Sequence, residues 1–162
     1  MESRRQNFLS CWLFAGLLLL SGCGKDAPTF STEIDFSKDS YPDSVAEIRG
    51  LSAKEAWGRW SDADIERKVT IRFKKPLPKT FALTLVAQAN AQNDNPTIRI
   101  GSFEQELLVQ GVEDPISIDV DLPATADTIE IIPPKPVSPK ALGVNEDTRK
   151  LGVGLYSLKI EE

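Results

Sequence analysis

The sequence of 162 residues contains no histidine, two cysteines and one methionine. Each scarcity removes a class of function. Without histidine the chain lacks the commonest general base, the commonest ligand of transition metals and every Ser-His or Cys-His nucleophile. Carboxylate pairs are still available for acid–base work, but none stands in a recognisable catalytic setting. Both cysteines, Cys11 and Cys23, lie near the N-terminus, so everything after them has no thiol with which to close a disulfide or hold zinc. The fold therefore has to stand on apolar packing. Acidic side chains outnumber basic ones, 24 to 19. That excess argues against nucleic acid, whose phosphates demand a basic face. Long apolar runs are scarce too. The run Phe8 to Leu20 has 13 residues, and a helix needs about 20 to span a bilayer. There is no internal repeat and no low-complexity tract.

What is present begins at the N-terminus. Arg4 and Arg5 precede the apolar run, which ends in Leu20, Ser21, Gly22 and Cys23. This order of basic residues, apolar segment, small residues and cysteine resembles the lipobox of bacterial lipoproteins. The resemblance implies cleavage before Cys23 and lipidation of Cys23. Two or three acyl chains anchor stably, where one binds only marginally. Gly24, where lipoproteins retained in the inner membrane often carry Asp, points to the outer membrane. The expected organisation is a signal peptide over 1–22, a polar tether over 23–31 and one folded domain over 32–162. Cleavage would remove Arg4, Arg5 and Glu2, leaving 17 basic and 23 acidic residues. The expected location is the cell envelope, on the periplasmic side, and 140 residues suit one core.

From Thr32 onward the dominant apolar period is two, the signature of strands. Ile34 and Phe36 alternate with polar neighbours, as do Val69, Ile71 and Phe73, and then Phe81, Leu83, Leu85 and Ala87. Thr97–Ile100 and Phe103–Leu107 flank Gly101-Ser102, which predicts a two-residue hairpin with a type II′ turn. Further strands are expected at Ile116–Leu122, Thr128–Ile132 and Leu151–Ile160. In the last, the apolar phase shifts from 151, 153 and 155 to 156, 158 and 160, which predicts a bulge near Leu155. Ser52 and Glu55 have capping-box spacing, so a helical turn or two is expected there. About eight strands, with turn signals roughly every ten residues, predict an all-β fold. The expected type is a jelly-roll β-sandwich, galactose-binding-like.

Candidate chemistry concentrates in Trp57-Gly58-Arg59-Trp60. An exposed indole offers a flat apolar face for the C–H face of a sugar, while Arg59 and nearby carboxylates can hydrogen-bond hydroxyls. A buried indole instead adds core area and finds a partner for its N–H. On a helical turn the two rings would lie side by side; in a strand they would point to opposite faces. Arg149 is a second candidate contact, able to grip a carboxylate or phosphate in bidentate fashion. Its alternative role is to pin the long loop before the last strand by pairing with Asp147 or Glu55. Asn90, Asn93, Asp94 and Asn95 offer oxygen ligands but lack the spacing of a calcium loop, and no metal or cofactor is expected. Lys68, Arg72, Lys74 and Lys75 form a charged stripe expected to discourage edge pairing.

The stretch Gly50-Leu-Ser-Ala-Lys-Glu-Ala-Trp-Gly-Arg-Trp-Ser61 resembles the opening of a β-domain at the C-terminus of phosphoglycerol transferase I enzymes. The likeness continues through Pro76-Leu-Pro78, Phe81-Ala-Leu83, Asn93, Pro96 and Gly101. It resumes at Ile131-Ile-Pro-Pro134 and Ser138-Pro139 and ends in Arg149-Lys-Leu-Gly-Val-Gly-Leu155. Those enzymes decorate the osmoregulated periplasmic glucans of Gram-negative bacteria. Their membrane spans and metal-dependent catalytic domain have no counterpart in these residues, so the family's catalysis is not expected here. The resemblance implies a non-enzymatic accessory module. The expectation is an envelope lipoprotein that binds or positions a glycan through Trp57, Arg59, Trp60 and Arg149. The alternative is a protein-interaction module that docks on a membrane-bound glycan-modifying transferase.

Overall fold

The structure is a computed structural model that describes residues 30–112 and 114–162. The expected signal peptide, the lipidated Cys23 and most of the tether lie outside the described residues. The first five strands are β1 (Ser31–Asp35), β2 (Val45–Arg49), β3 (Arg59–Asp62), β4 (Val69–Phe73) and β5 (Thr80–Ala89). The next five are β6 (Thr97–Ile100), β7 (Phe103–Glu106), β8 (Pro115–Asp121), β9 (Thr128–Ile132) and β10 (Leu151–Glu161). They form two antiparallel sheets of five strands. In the first, β10 is central: β5 lies along one edge, with β8 beyond it, and β1 and β3 share the other edge end to end. The second has the order β2-β4-β9-β6-β7. Strand pairs are nested, β3 with β10, β4 with β9, β5 with β8 and β6 with β7. That nesting is a long hairpin wrapped into two sheets, the jelly roll that the sequence predicts.

The eight expected strands are all present, and two more escape the sequence reading. β2 and β3 are short and carry little alternation, with Glu47, Arg49, Arg59 and Asp62 among their nine residues. The β6–β7 hairpin forms as expected: Ile100 faces Phe103, and Gly101 has φ 57°. Positive φ at the first central residue alone fits the type II′ turn. The core is the set of inward-facing positions of both sheets. Ile34, Ile71, Leu83, Leu85, Ile98, Ile129, Ile131 and Leu158 are fully buried. The alternation of β5 shows why its sequence suits this place, with Phe81, Leu83, Leu85 and Ala87 inward and Thr80, Ala82, Thr84 and Val86 less covered.

Two expectations are overturned. Ser52–Glu55 forms no helical turn. Leu51 bridges Ser61, the amide of Ser52 donates to the Trp60 carbonyl, and the amide of Glu55 donates to the Gly58 carbonyl. The chain into β3 is thus held by pairing with β3 itself, and capping-box spacing cannot override a ladder that satisfies the same amides. The charged stripe does not guard an edge either, because β4 lies between β2 and β9. Lys68 pairs with Glu130 and Arg72 with Glu47, so these cations meet carboxylates on neighbouring strands.

Candidate functional site

The first half of β10 is buried on both faces, which follows from its glycines. Val153 and Leu155 point into the core, and Gly152 and Gly154 point outward. A side chain on Gly154 would place its Cβ 2.7 Å from Trp57 Cη2 and 2.9 Å from Gln88 Cγ. Trp57 therefore lies across the outer face of the sheet, on ground that only glycine leaves clear. Trp60 and Gln88 are the register partners of Gly154 on either side. Gly58 makes the approach possible: a Cβ there would overlap the backbone carbonyl oxygen of Leu155. The chain bends at this point and lays Trp57 back over β10 before β3 begins.

The register of β10 against β5 slips between Leu155 and Ser157, the bulge predicted from the phase switch. Tyr156 is the inserted residue, and its ring meets Trp57 at 4.8 Å and 42°. Trp57 meets Trp60 edge to face at 5.3 Å and 79°. Three rings thus form one cluster on the solvent side of the first sheet, and each is partly exposed. The two indoles stand side by side without a helical turn between them. Tyr156 was not singled out from the sequence. The phase switch at an aromatic, two residues after a glycine, is the signal that could have found it.

Arg59 takes the opposite direction. Its register partner is the inward-pointing Leu155, and period two sends it away from Trp60. Its guanidinium lies 6.0 Å from the centre of the Tyr41 ring and donates to the Lys38 carbonyl oxygen. Arg59 Nε is buried without a hydrogen-bond partner. Arg59 therefore does not share the face that carries the rings.

Arg149 does join that face, through Glu55. The indole N–H of Trp57 donates to Glu55 Oε2 at 3.0 Å, and Arg149 Nη2 donates to Glu55 Oε1 at 3.4 Å. Arg149 also grips Asp147, with Nε donating at 3.1 and 3.0 Å to its two oxygens and Nη2 at 2.6 Å. Hydrogen bonds from Arg149 hold the Asp147 carboxyl below its usual range. The bond to Asp147 first, and Glu55 after it, raises the Arg149 guanidinium above its own. These residues line a cleft of about 310 Å³ with Trp60, Asn90, Asn145, Pro139, Val144 and Leu151. A second cleft of about 440 Å³ is lined by Gln88, Asp94, Leu108, Gln110 and Val112 among others.

The asparagine loop is a staple. Asn93 is fully buried, donates to the carbonyls of Asn90 and Lys135, and accepts from the Lys135 amide at 2.8 Å. Asn90 donates to the carbonyls of Val137 and Leu151. Both side chains are thus engaged in holding the 133–150 loop against β10, where it walls the first cleft. Among the described residues no group of three or more Cys, Asp or Glu is placed to hold a metal ion.

Comparison with known proteins places this arrangement. The chain is 36% identical over 140 residues to phosphoglycerol transferase I of Escherichia coli O139:H28, and equally to that of Shigella boydii serotype 18. Each alignment takes in 80% of this chain and 18% of the relative, so the chain spans under a fifth of the curated relatives it matches. A mutant of CBM29-2, a family 29 carbohydrate binding module, superposes with a TM-score of 0.49 at 10% identity, covering 80% of this chain and 90% of that one. Residues 24–162 match the family described as "Domain of unknown function (DUF7024)", and the chain belongs to that family.

Proposed function

We propose that the protein is a non-enzymatic, lipid-anchored module of the cell envelope that binds or positions a glycan on the outer face of its first sheet. The observation that carries this reading is the cluster of Trp57, Trp60 and Tyr156. Three partly exposed rings, Trp60 and Tyr156 on strands and Trp57 at the bend before β3, stand next to a cleft lined by Glu55, Asn90, Asn145, Asp147 and Arg149. Flat apolar faces beside a few fixed polar groups suit a sugar, which presents C–H faces and hydroxyls together. The Trp57 N–H is already engaged by Glu55, so its ring is held in place before any ligand arrives. The similarity to phosphoglycerol transferase I supports an accessory role beside glycan modification. The osmoregulated periplasmic glucans, the polymers that family decorates, are the first ligands to test. Anchorage through Cys23 at the outer membrane belongs to the same reading.

Affinity electrophoresis of the protein through gels containing these glucans tests it. Retardation is expected for the wild type, and Trp60→Ala is expected to weaken it about tenfold or more while far-UV circular dichroism stays native. Unchanged mobility of the wild type across envelope saccharides would remove the glycan reading. A second reading, docking on a membrane-bound transferase, draws on the exposed apolar residues Leu142 and Val144 of the 133–150 loop. Recovery of a transferase as one stoichiometric partner, lost in Val144→Asp but not in Trp60→Ala, would favour it.

A further inference from the structure

The charges around the rings narrow the class of ligand. Among the described residues, Arg149 is the one cation that lines either the cleft beside Trp60 or the cleft beside Gln88. It is already bound by both oxygens of Asp147 and by Glu55. Asp94 adds a third carboxylate in the cleft that Gln88 lines. Two carboxylates therefore stand against one guanidinium in the cleft that Trp60 lines, its Nε and Nη2 both pointing at them, and Asp94 stands in the cleft that Gln88 lines. Of the loop's lysines, Lys140 pairs with Glu146 at 2.8 Å and Lys150 with Asp64 at 2.8 Å, while Lys135 donates to the side-chain oxygen of Gln92. Asp147 is held ionised by its bonds from Arg149. The remaining polar groups are uncharged: the amide donors of Asn90 are spent on loop carbonyls, and Gln88, Asn145 and Gln110 are suited to hydroxyls.

We propose that this face selects uncharged saccharide and repels the same saccharide once it carries phosphate or carboxylate substituents. The inference rests on the glycan reading above and adds to it the sign of the ligand. An anionic substituent meets an excess of fixed negative charge, and the guanidinium that would pair with it already commits Nε and Nη2 to Asp147 and Glu55. For a polymer whose substituents are phosphoglycerol groups, the face is suited to the unmodified acceptor rather than to the modified product. A module of this kind takes its place upstream of anionic substitution.

The test uses the full-length protein in detergent and two fractions of one periplasmic glucan, the neutral fraction and the phosphoglycerol-bearing fraction, compared by isothermal titration calorimetry. The expected result is affinity about tenfold or more greater for the neutral fraction at low salt, with the ratio falling as ionic strength shortens the reach of the repulsion. Asp147→Asn, which leaves Arg149 partly free, is expected to shift the ratio about tenfold towards the anionic fraction. Because Asp147 also holds the loop through Arg149, Asp94→Asn serves as a second variant and is expected to shift the ratio the same way. Equal or tighter binding of the anionic fraction by the wild type overturns the selectivity and leaves the glycan reading standing. Binding of neither fraction overturns the glycan reading and the selectivity with it.

Discussion

Trp57 owes its place to two glycines and one carboxylate, and each can be removed singly. Gly154→Ala puts a methyl group 2.7 Å from Trp57 Cη2 and 2.9 Å from Gln88 Cγ, atoms of two partly exposed side chains rather than of backbone. The expected outcome is a small loss of stability, about 1 kcal/mol, with a red shift of tryptophan emission as the ring lifts. Gly58→Ala meets backbone instead, the carbonyl of Leu155, which cannot swing aside. That substitution is expected to cost about 3 kcal/mol or more by thermal or urea denaturation. Equal effects of the two would contradict the placement of Trp57. The importance of this stretch was legible in the sequence, because two tryptophans flanking a glycine stand out. The direction of Arg59 was not, since it depends on where β3 begins, one residue after the bend.

At the scale of elements, the 133–150 loop is the part that the sequence left most open. Three of its anchors are distant in sequence, Asn90 and Asn93 from the β5–β6 loop and Glu55 from the entry to β3, and they meet Asp147 and Arg149 at its own end. Asn93→Ala removes a fully buried amide and orphans the Lys135 amide and two carbonyls, an expected loss of about 2–3 kcal/mol. Asp147 gives the loop an acid limit. Its folded pKa lies below the ordinary value of 3.8, so its stabilising contribution is present above that value and is lost as pH falls through the lowered one. Asp147→Asn is expected to flatten that acid limb of a stability–pH curve, and an unchanged limb would argue against the pairing. The strands with clean alternation, β4, β5, β8 and β9, were readable because period two survives wherever one face is buried. β2 and β3 were not, because their places come from ladders with β4 and β10 rather than from their own pattern.

For the whole molecule, the nested pairing of β3 to β10 explains how residues 57, 60, 88, 149 and 156 come to one face. β10 is the shared floor: β3 brings Trp60 along one edge, β5 brings Gln88 along the other, and the bulge turns Tyr156 outward. The jelly roll was legible from strand count and turn spacing; the meeting of its two ends was not, because it is set by pairing between residues some 90 positions apart. The reading of this face as a glycan platform is tested most directly by acrylamide quenching of tryptophan fluorescence in the protein processed before Cys23, which lacks Trp12, so that Trp57 and Trp60 alone report. Without ligand, both indoles are expected to be quenched measurably, at a level between free and fully buried indole. Saturating neutral periplasmic glucan is expected to protect them, and Trp60→Ala to abolish the glucan-dependent change. Full protection of both indoles without ligand, or quenching that no saccharide alters, would contradict a glycan-binding face built on these rings.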